Sequence, residues 1–160
     1  MNTDFANIAG MFKTNTGIVK KAVEEISREH WFRRPGDDSN HLMWVAGHLI
    51  VSRQGVLKSL DTEWSFPWSS LFSRGAKLTT PEQYPGVEEI RNAWEDVSNR
   101  LLASLSSASA EVLAKPAPQG PPTFDGKISG LVAFLAFHET YHVGQVSYLR
   151  KWLGYGQSVG

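Results

Sequence analysis

A regular apolar repeat at spacings of three and four residues runs from Ile128 to Leu153, the longest such segment of the chain. This spacing predicts a long α-helix with one apolar face. Polar side chains interrupt the middle of that face, whose members are Leu131, Leu135, His138, His142, Gln145, Leu149 and Trp152. Burying imidazoles and an amide without partners costs several kcal/mol, so we expect a group in the interior to bind them.

His138 and His142 stand four residues apart, and side chains at this spacing lie about 5–6 Å apart on one helical face. Both imidazoles can therefore reach one ion at bond lengths of about 2.0–2.1 Å. The sequence favours a transition-metal site at this point of the helix. The alternative is a pair of core histidines whose nitrogens hydrogen-bond to neighbouring residues.

Length and composition limit the class of protein. At 160 residues the chain is predicted to form a single domain, residues 1–160. Sixteen basic and sixteen acidic residues balance and form no long run of one sign, which argues against nucleic-acid and membrane partners. No stretch has the pattern of a membrane span or a secretory signal, so a cytoplasmic location is the default expectation. Because the chain has no cysteine, any thiol chemistry must use a thiol that a substrate brings.

The same spacing rule predicts four amphipathic helices. They are a first helix that contains Phe5 to Ile26 and ends before Arg34, a second that starts in residues 37–40 and ends near Leu60, a third from Val87 into residues 104–109, and a fourth from Ile128 that closes at Gly154. Four helices with one apolar face each predict an all-α fold, a four-helix bundle. Asn15 interrupts the first apolar stripe, and a solvated or helix-bonded side chain is favoured there over one that faces a polar interior site.

Two segments between the predicted helices lack helical periodicity. Residues 61–86 form a long crossover between helices two and three, and they are too aromatic for a disordered linker. We expect this crossover to be ordered, either as a lid over a pocket or as a cover for one edge of the bundle. One helical turn is expected within it at Thr80-Pro81. The proline-rich residues 114–125 are expected to form an extended connection.

His48 is the best candidate for a third metal ligand. It lies near the middle of the second helix, as His138 and His142 do in the fourth, so the three side chains can meet at one height of a bundle. His41 and His30 lie near helix ends, where surface or capping roles are expected.

Residues 138–142 read His-Glu-x-x-His, the pattern of metalloprotease helices in which two histidines hold zinc and the glutamate is a general base. No His, Asp or Glu follows His142, so a third protein ligand has to come from upstream. The short, all-helical chain lacks a strand to hold a peptide, which argues against proteolysis. Glu139 is expected to support the ligands or to lie partly exposed about 100° from them. It is also a candidate catalytic residue, as a proton acceptor beside a metal-bound water or thiol.

The two histidine motifs together resemble a known family. The chain has WVAGHL at residues 44–49 and HETYHVGQ at residues 138–145, followed by YLRKWLG. In this order and spacing the motifs resemble the DinB/YfiT-like superfamily over nearly the whole chain. The resemblance implies a four-helix bundle, commonly a homodimer, that holds one divalent metal through His48, His138 and His142. It also places Gln145 near the site, as a second candidate catalytic residue.

The resemblance further implies a type of reaction. Members with known activity are similar to thiol-dependent transferases and isomerases, in which a low-molecular-weight thiol such as bacillithiol or mycothiol is activated at the metal. Three neutral imidazoles leave at least one coordination position open, as in catalytic metal sites. They suit zinc, nickel, iron and copper alike, so the sequence does not name the metal.

Three functions fit these residues. The first is a metal-dependent enzyme, a thiol S-transferase in type, that activates a low-molecular-weight thiol or water for reaction with a small-molecule substrate. The second is a metal-dependent hydrolase with Glu139 as the base. The third is a non-catalytic, stress-associated metal-binding bundle, in which a side chain such as Gln145 or Glu139 would close the fourth coordination position.

Overall fold

The fold is built from α-helices joined by ordered loops. The computed structural model describes residues 3–159, and in this range it contains six α-helices and no β-strand, which confirms the all-α prediction. The helices are α1 (Thr3–Ala22), α2 (Leu42–Ser59), α3 (Ser69–Phe72), α4 (Val87–Ser107), α5 (Ala110–Ala114) and α6 (Ile128–Trp152). Short 3₁₀ turns cover His30–Phe32 and Pro81–Gln83, the second of which is the turn predicted inside the crossover.

The four long helices carry the core. α1 packs against α4 and α6, and α2 packs against the same two helices. Buried apolar side chains from all four helices fill the space between them, among them Phe12, Leu49, Leu101 and Val146. Within the described part of the chain, no helix is both long enough and apolar enough to cross a membrane.

The first helix is shorter than its apolar spacing suggested. α1 ends at Ala22, and Glu25 adopts a left-handed backbone conformation with a φ of 62°. The chain turns at this point, yet Ile26 and Trp31 still reach the core. The apolar pattern up to Ile26 therefore indicates which residues are buried, and this burial continues beyond the end of the helix.

The second helix begins slightly later than predicted, at Leu42. Its cap is His41, whose Nδ1 accepts a hydrogen bond from the backbone N–H of Trp44 at 3.1 Å. Of the two roles expected for His41, capping is confirmed and a surface position is wrong, because the side chain is buried. The predicted end of α6 is confirmed, and Gly154 just beyond it has a φ of 89°, a conformation that favours glycine.

The crossover between α2 and α4 is ordered and packs onto α2. Phe66, Phe72 and Tyr84 in this segment are buried in the core. The ring of Phe72 lies directly against Gly47 of α2, where any Cβ would overlap it. Glycine at position 47 thus lets the crossover approach the helix that carries His48.

Candidate metal centre

Three histidines from two helices converge at one place. The nitrogens with which His48 of α2 and His138 and His142 of α6 could bind an ion all lie within 4.8 Å of one another. The Nε2 atoms of His138 and His142 are 3.2 Å apart. In the described part of the chain, the fold thus brings together the three histidines that the sequence singled out, and it leaves His41 and His30 elsewhere.

The support of His48 comes from the crossover. The Nδ1–H of His48 donates to the backbone carbonyl of Phe72 at 2.8 Å. The indole of Trp44, one turn earlier on α2, stacks on the imidazole with ring centroids 4.8 Å apart and an interplanar angle of 8°. Together these contacts fix the ring and keep the proton on Nδ1, so Nε2 of His48 has a free lone pair.

Gln145 orients His142 in the same way, through a hydrogen bond to Nδ1. Its Oε1 accepts a hydrogen bond from Nδ1 of His142 at 2.7 Å, across one turn of α6. This contact places the proton on Nδ1 and leaves the lone pair on Nε2, as in His48. Nδ1 of His138 is buried and has no hydrogen-bond partner in the described residues. Gln145 is therefore placed to orient a ligand through its side-chain oxygen.

The three imidazoles are held in the neutral form. Burial lowers the pKa of His48 and of His142, and hydrogen bonding to the Phe72 carbonyl or to Gln145 only partly offsets this effect. For His138, burial lowers the pKa to about 4, and unfavourable charge interactions of its protonated form with His142, His48 and Arg74 add to this effect. Neutral imidazole is the form that binds a metal, because its lone pair is free.

The donor set fits a divalent transition metal. Three neutral nitrogens meet on one side of α6, and two of them face each other at 3.2 Å. Nitrogens bound to one ion at about 2.0–2.1 Å can be no more than about 4.2 Å apart, so binding requires only a small adjustment of a ring. The carboxylate of Glu139 accepts hydrogen bonds from Arg53, and the amide oxygen of Gln145 accepts one from Nδ1 of His142, so the structure uses both side chains to support other residues.

Glu139 lies in the core and is not partly exposed as one expectation held. Its side chain is 1% exposed, and both carboxylate oxygens accept hydrogen bonds from Arg53, at 2.7 Å from Nε and 2.9 Å from Nη2. Arg53, on α2, is fully buried and also donates to Ser98 and to the backbone carbonyl of Phe12. Its guanidinium lies 3.8 Å from the centroid of the Trp94 ring. The glutamate of the His-Glu-x-x-His motif is therefore half of a buried ion pair.

Arg53 is the residue that the sequence reasoning missed. It stands four residues after Leu49 and three before Val56, which puts a charged residue on the apolar stripe of α2. A charge in that position signals a buried partner, because an isolated ion is rarely buried. The stripe predicted for α6 is likewise displaced by about one residue, since Glu139 is buried and Trp152 is 38% exposed.

Two further polar residues take positions other than those expected. Asn15 is buried, and its Nδ2 donates to Oγ1 of Thr140 at 3.1 Å, so the solvated or helix-bonded position favoured for it is wrong. This bond joins α1 to α6 within two residues of both His138 and His142. His30 lies in a 3₁₀ turn, where its Nδ1 shares a hydrogen bond of 2.9 Å with the hydroxyl of Tyr155.

Comparison with known proteins bears on the family of this chain. A family model described as the DinB superfamily matches residues 11–146. The match includes α2, the crossover, and the segment from His138 to Gln145. Comparison with curated proteins gave no match.

Proposed function

The chain belongs to the DinB superfamily, and on that premise we propose that it is an enzyme that depends on one divalent transition metal. His48, His138 and His142 would hold the ion. We propose zinc, nickel or iron as the metal and a low-molecular-weight thiol or water as the group activated there. The reaction would transfer the thiol to a small electrophilic substrate.

The arrangement of the imidazole nitrogens is the main support for the metal site. The Nε2 atoms of His138 and His142 lie 3.2 Å apart. Nδ1 of His142 donates its hydrogen to the side-chain oxygen of Gln145, so Nε2 of His142 carries the lone pair. The Nε2 lone pair of His142 and that of His48 are therefore both directed at the space near His138. A site at which nitrogen lone pairs converge and the imidazoles are neutral is suited to binding a cation.

The open coordination position supports catalysis over a purely structural role. When bound, a divalent metal at three neutral imidazoles supplies a positive charge that lowers the pKa of a thiol or a water. The protein itself orients His142 through Gln145 and His48 through the Phe72 carbonyl. Since the chain has no cysteine, no thiolate of its own competes for the site.

The hydrolase alternative assigns the role of base to Glu139. A base needs a free carboxylate oxygen within hydrogen-bond reach of the reacting water. Both oxygens of Glu139 are bound to Arg53 in the core, which favours a supporting role for this residue. We therefore rank the thiol transferase above the hydrolase.

Elemental analysis of untagged protein tests the metal site. We expect about one equivalent of transition metal in the wild type and its loss in the variants His48→Ala and His138→Ala. The variant His30→Ala is the matched control, because His30 lies outside the group of three and should leave the metal content unchanged. Helical circular dichroism checks that each variant is folded. Folded wild type that binds no metal even after reconstitution would refute the proposal.

An assay of catalytic turnover tests the proposal that the protein is an enzyme. Metal-loaded protein is incubated with a panel of thiols and electrophiles, and the loss of free thiol is followed with and without a chelator. Turnover that disappears with the chelator and in His48→Ala would support the transferase. A fully loaded protein that turns over none of the panel would favour the non-catalytic, stress-associated alternative.

Three further features are part of this proposal. We interpret the four long helices as a four-helix bundle with the crossover between its second and third helices, because each of them packs against two of the others. A homodimer and a cytoplasmic location stay predictions from the sequence. Sedimentation of the purified protein would test the first of these.

A further inference from the structure

A tight turn beside the histidines presents one arginine. The backbone N–H of Ala76 donates to the carbonyl of Ser73 at 2.9 Å, and Gly75 has a φ of 81°, which together define a type II turn with Arg74 in its second position. The hydroxyl of Ser73 donates to the carbonyl of Ser69 at 2.8 Å and anchors the turn to α3. The backbone of Arg74 is thus held by hydrogen bonds on both sides.

This turn is attached to the metal centre. It directly follows Phe72, which is fully buried and whose carbonyl accepts the hydrogen bond from His48. Arg74 also lies near enough to His138 for the two side chains to interact through their charges. Arg74 therefore lies near one of the three histidines and two residues from the contact that orients another.

The charge of Arg74 has no counter-ion among the side chains that the structure describes. The side chain is exposed, and it makes no ion pair with any residue from 5 to 159. The nearest acidic residue of the histidine motif, Glu139, is already neutralised by Arg53. A free guanidinium beside a site for a divalent cation makes the surroundings strongly electropositive, and such surroundings select for anions.

We propose that Arg74 is a specificity-determining residue that binds a carboxylate of the small molecule reacting at the three-histidine site. The proposal rests on the proposed function and adds the charge class of its substrate. A guanidinium matches a carboxylate with two parallel N–H donors, a geometry that neither an alcohol nor an ammonium group can use. The protein would thus favour thiols or electrophiles that carry a carboxylate and reject those that carry an amine.

Comparing three small thiols of similar size shows whether the protein selects its ligand by charge in addition to binding the thiol. They are mercaptoacetate, 2-mercaptoethanol and 2-aminoethanethiol, which are anionic, neutral and cationic away from the sulfur. Each is titrated into the Co²⁺-loaded full-length protein, and the dissociation constant is read from the visible absorption of Co²⁺. In the wild type we expect mercaptoacetate to bind most tightly and 2-aminoethanethiol most weakly.

The variant Arg74→Gln tests whether Arg74 causes the preference for mercaptoacetate. We expect its affinity for mercaptoacetate to fall about 2- to 5-fold, the size of an exposed charge pair, while its affinity for 2-mercaptoethanol stays the same. Arg74→Lys should retain part of the preference, and Lys77→Gln, which removes a charge from the same loop, should retain all of it. A preference for mercaptoacetate that is unchanged in Arg74→Gln would mean that the carboxylate binds the metal directly, and it would overturn the proposal.

The failures of the two proposals are distinguishable. Equal affinity of the wild type for the three thiols would overturn the role of Arg74 and leave the thiol-binding metal site intact. Co²⁺-loaded protein whose spectrum responds to none of the thiols would overturn the thiol function, and the role of Arg74 with it.

Discussion

Removing the carboxylate of Glu139 should destabilise the fold through Arg53. The variant Glu139→Ala leaves a guanidinium that is fully buried without the two carboxylate contacts at 2.7 and 2.9 Å. Breaking a buried ion pair by deleting one partner typically costs about 3–5 kcal/mol. Here Arg53 keeps its contacts with Ser98, the Phe12 carbonyl and the Trp94 ring. We therefore expect a loss near the lower limit, about 3 kcal/mol in the free energy of unfolding.

Replacing both partners should restore much of that loss. In the double variant Arg53→Met, Glu139→Leu no charge is left buried, and apolar side chains of similar length fill the same space. The former acceptors of Arg53 stay hydrogen-bonded, because Ser98 still donates to the Trp94 carbonyl and the Phe12 carbonyl still accepts from Thr16. We expect the double variant to be within about 1 kcal/mol of the wild type.

Urea unfolding followed by circular dichroism measures these values, with a chelator present so that no metal contributes to stability. Glu95→Ala serves as the control, because its ion pair with Lys20 is 63% exposed on both sides and its loss should have no measurable effect. The reasoning is refuted if Glu139→Ala loses less than about 1 kcal/mol. A loss in the double variant that equals the sum of the losses in Arg53→Met alone and Glu139→Leu alone would refute it equally, since it would show that the pair is not coupled.

Three other predictions concern the packing at Gly47, metal binding and the pH dependence of stability. Gly47→Ala should cost about 1–3 kcal/mol of stability, because its Cβ would overlap Phe72, whereas Gly55→Ala on the open side of α2 should be neutral or stabilising in the same urea assay. Gln145→Leu should weaken metal binding about 10- to 100-fold in a competition with a chromogenic chelator, because His142 loses the acceptor for Nδ1. For metal-free protein, stability should fall as the pH drops from about 6.5 toward 4, because burial lowers the pKa of His41 to about 4 and the unfolded chain binds the proton first. His41→Asn, which keeps a capping side chain, should show a smaller fall, and an identical pH profile would exclude His41 as the cause.

The helices and the three-histidine group could be predicted because both depend on local spacing. A repeat of three and four residues defines a helix whatever the helix packs against, and the bounds of α4 and α6 agree closely with it. The choice of His48 over His41 used only the rise of a helix per residue. The position of Asn15 was wrong because its partner, Thr140, lies 125 residues away and no local pattern indicates it.

The rotation of α6 was harder to predict, because the residues before the motif are apolar on every side. Residues 131–137 read LVAFLAF, so a stripe through His138 and one through Glu139 fit them equally well. What decides between the two is Arg53, 86 residues away on α2, which requires a buried anion as its partner. The structure accordingly buries Glu139 at 1% exposure and leaves His138 half-buried at the edge of the core.

This rotation explains how one helical turn can carry both half of a core ion pair and two of the three histidines that could hold a metal ion. Neighbouring residues on a helix point about 100° apart, so burying Glu139 turns His138 toward the boundary between core and solvent, while His142 stays buried. Histidines at the centre of the stripe would be enclosed, with no path for a small molecule. At the edge His138 stays accessible to solvent. Arg53 and Glu139 join α2 to α6 and so hold His48 opposite the other two imidazoles. On this argument the pair positions the site although neither residue touches it, and the histidines and the glutamate of the motif have separate tasks.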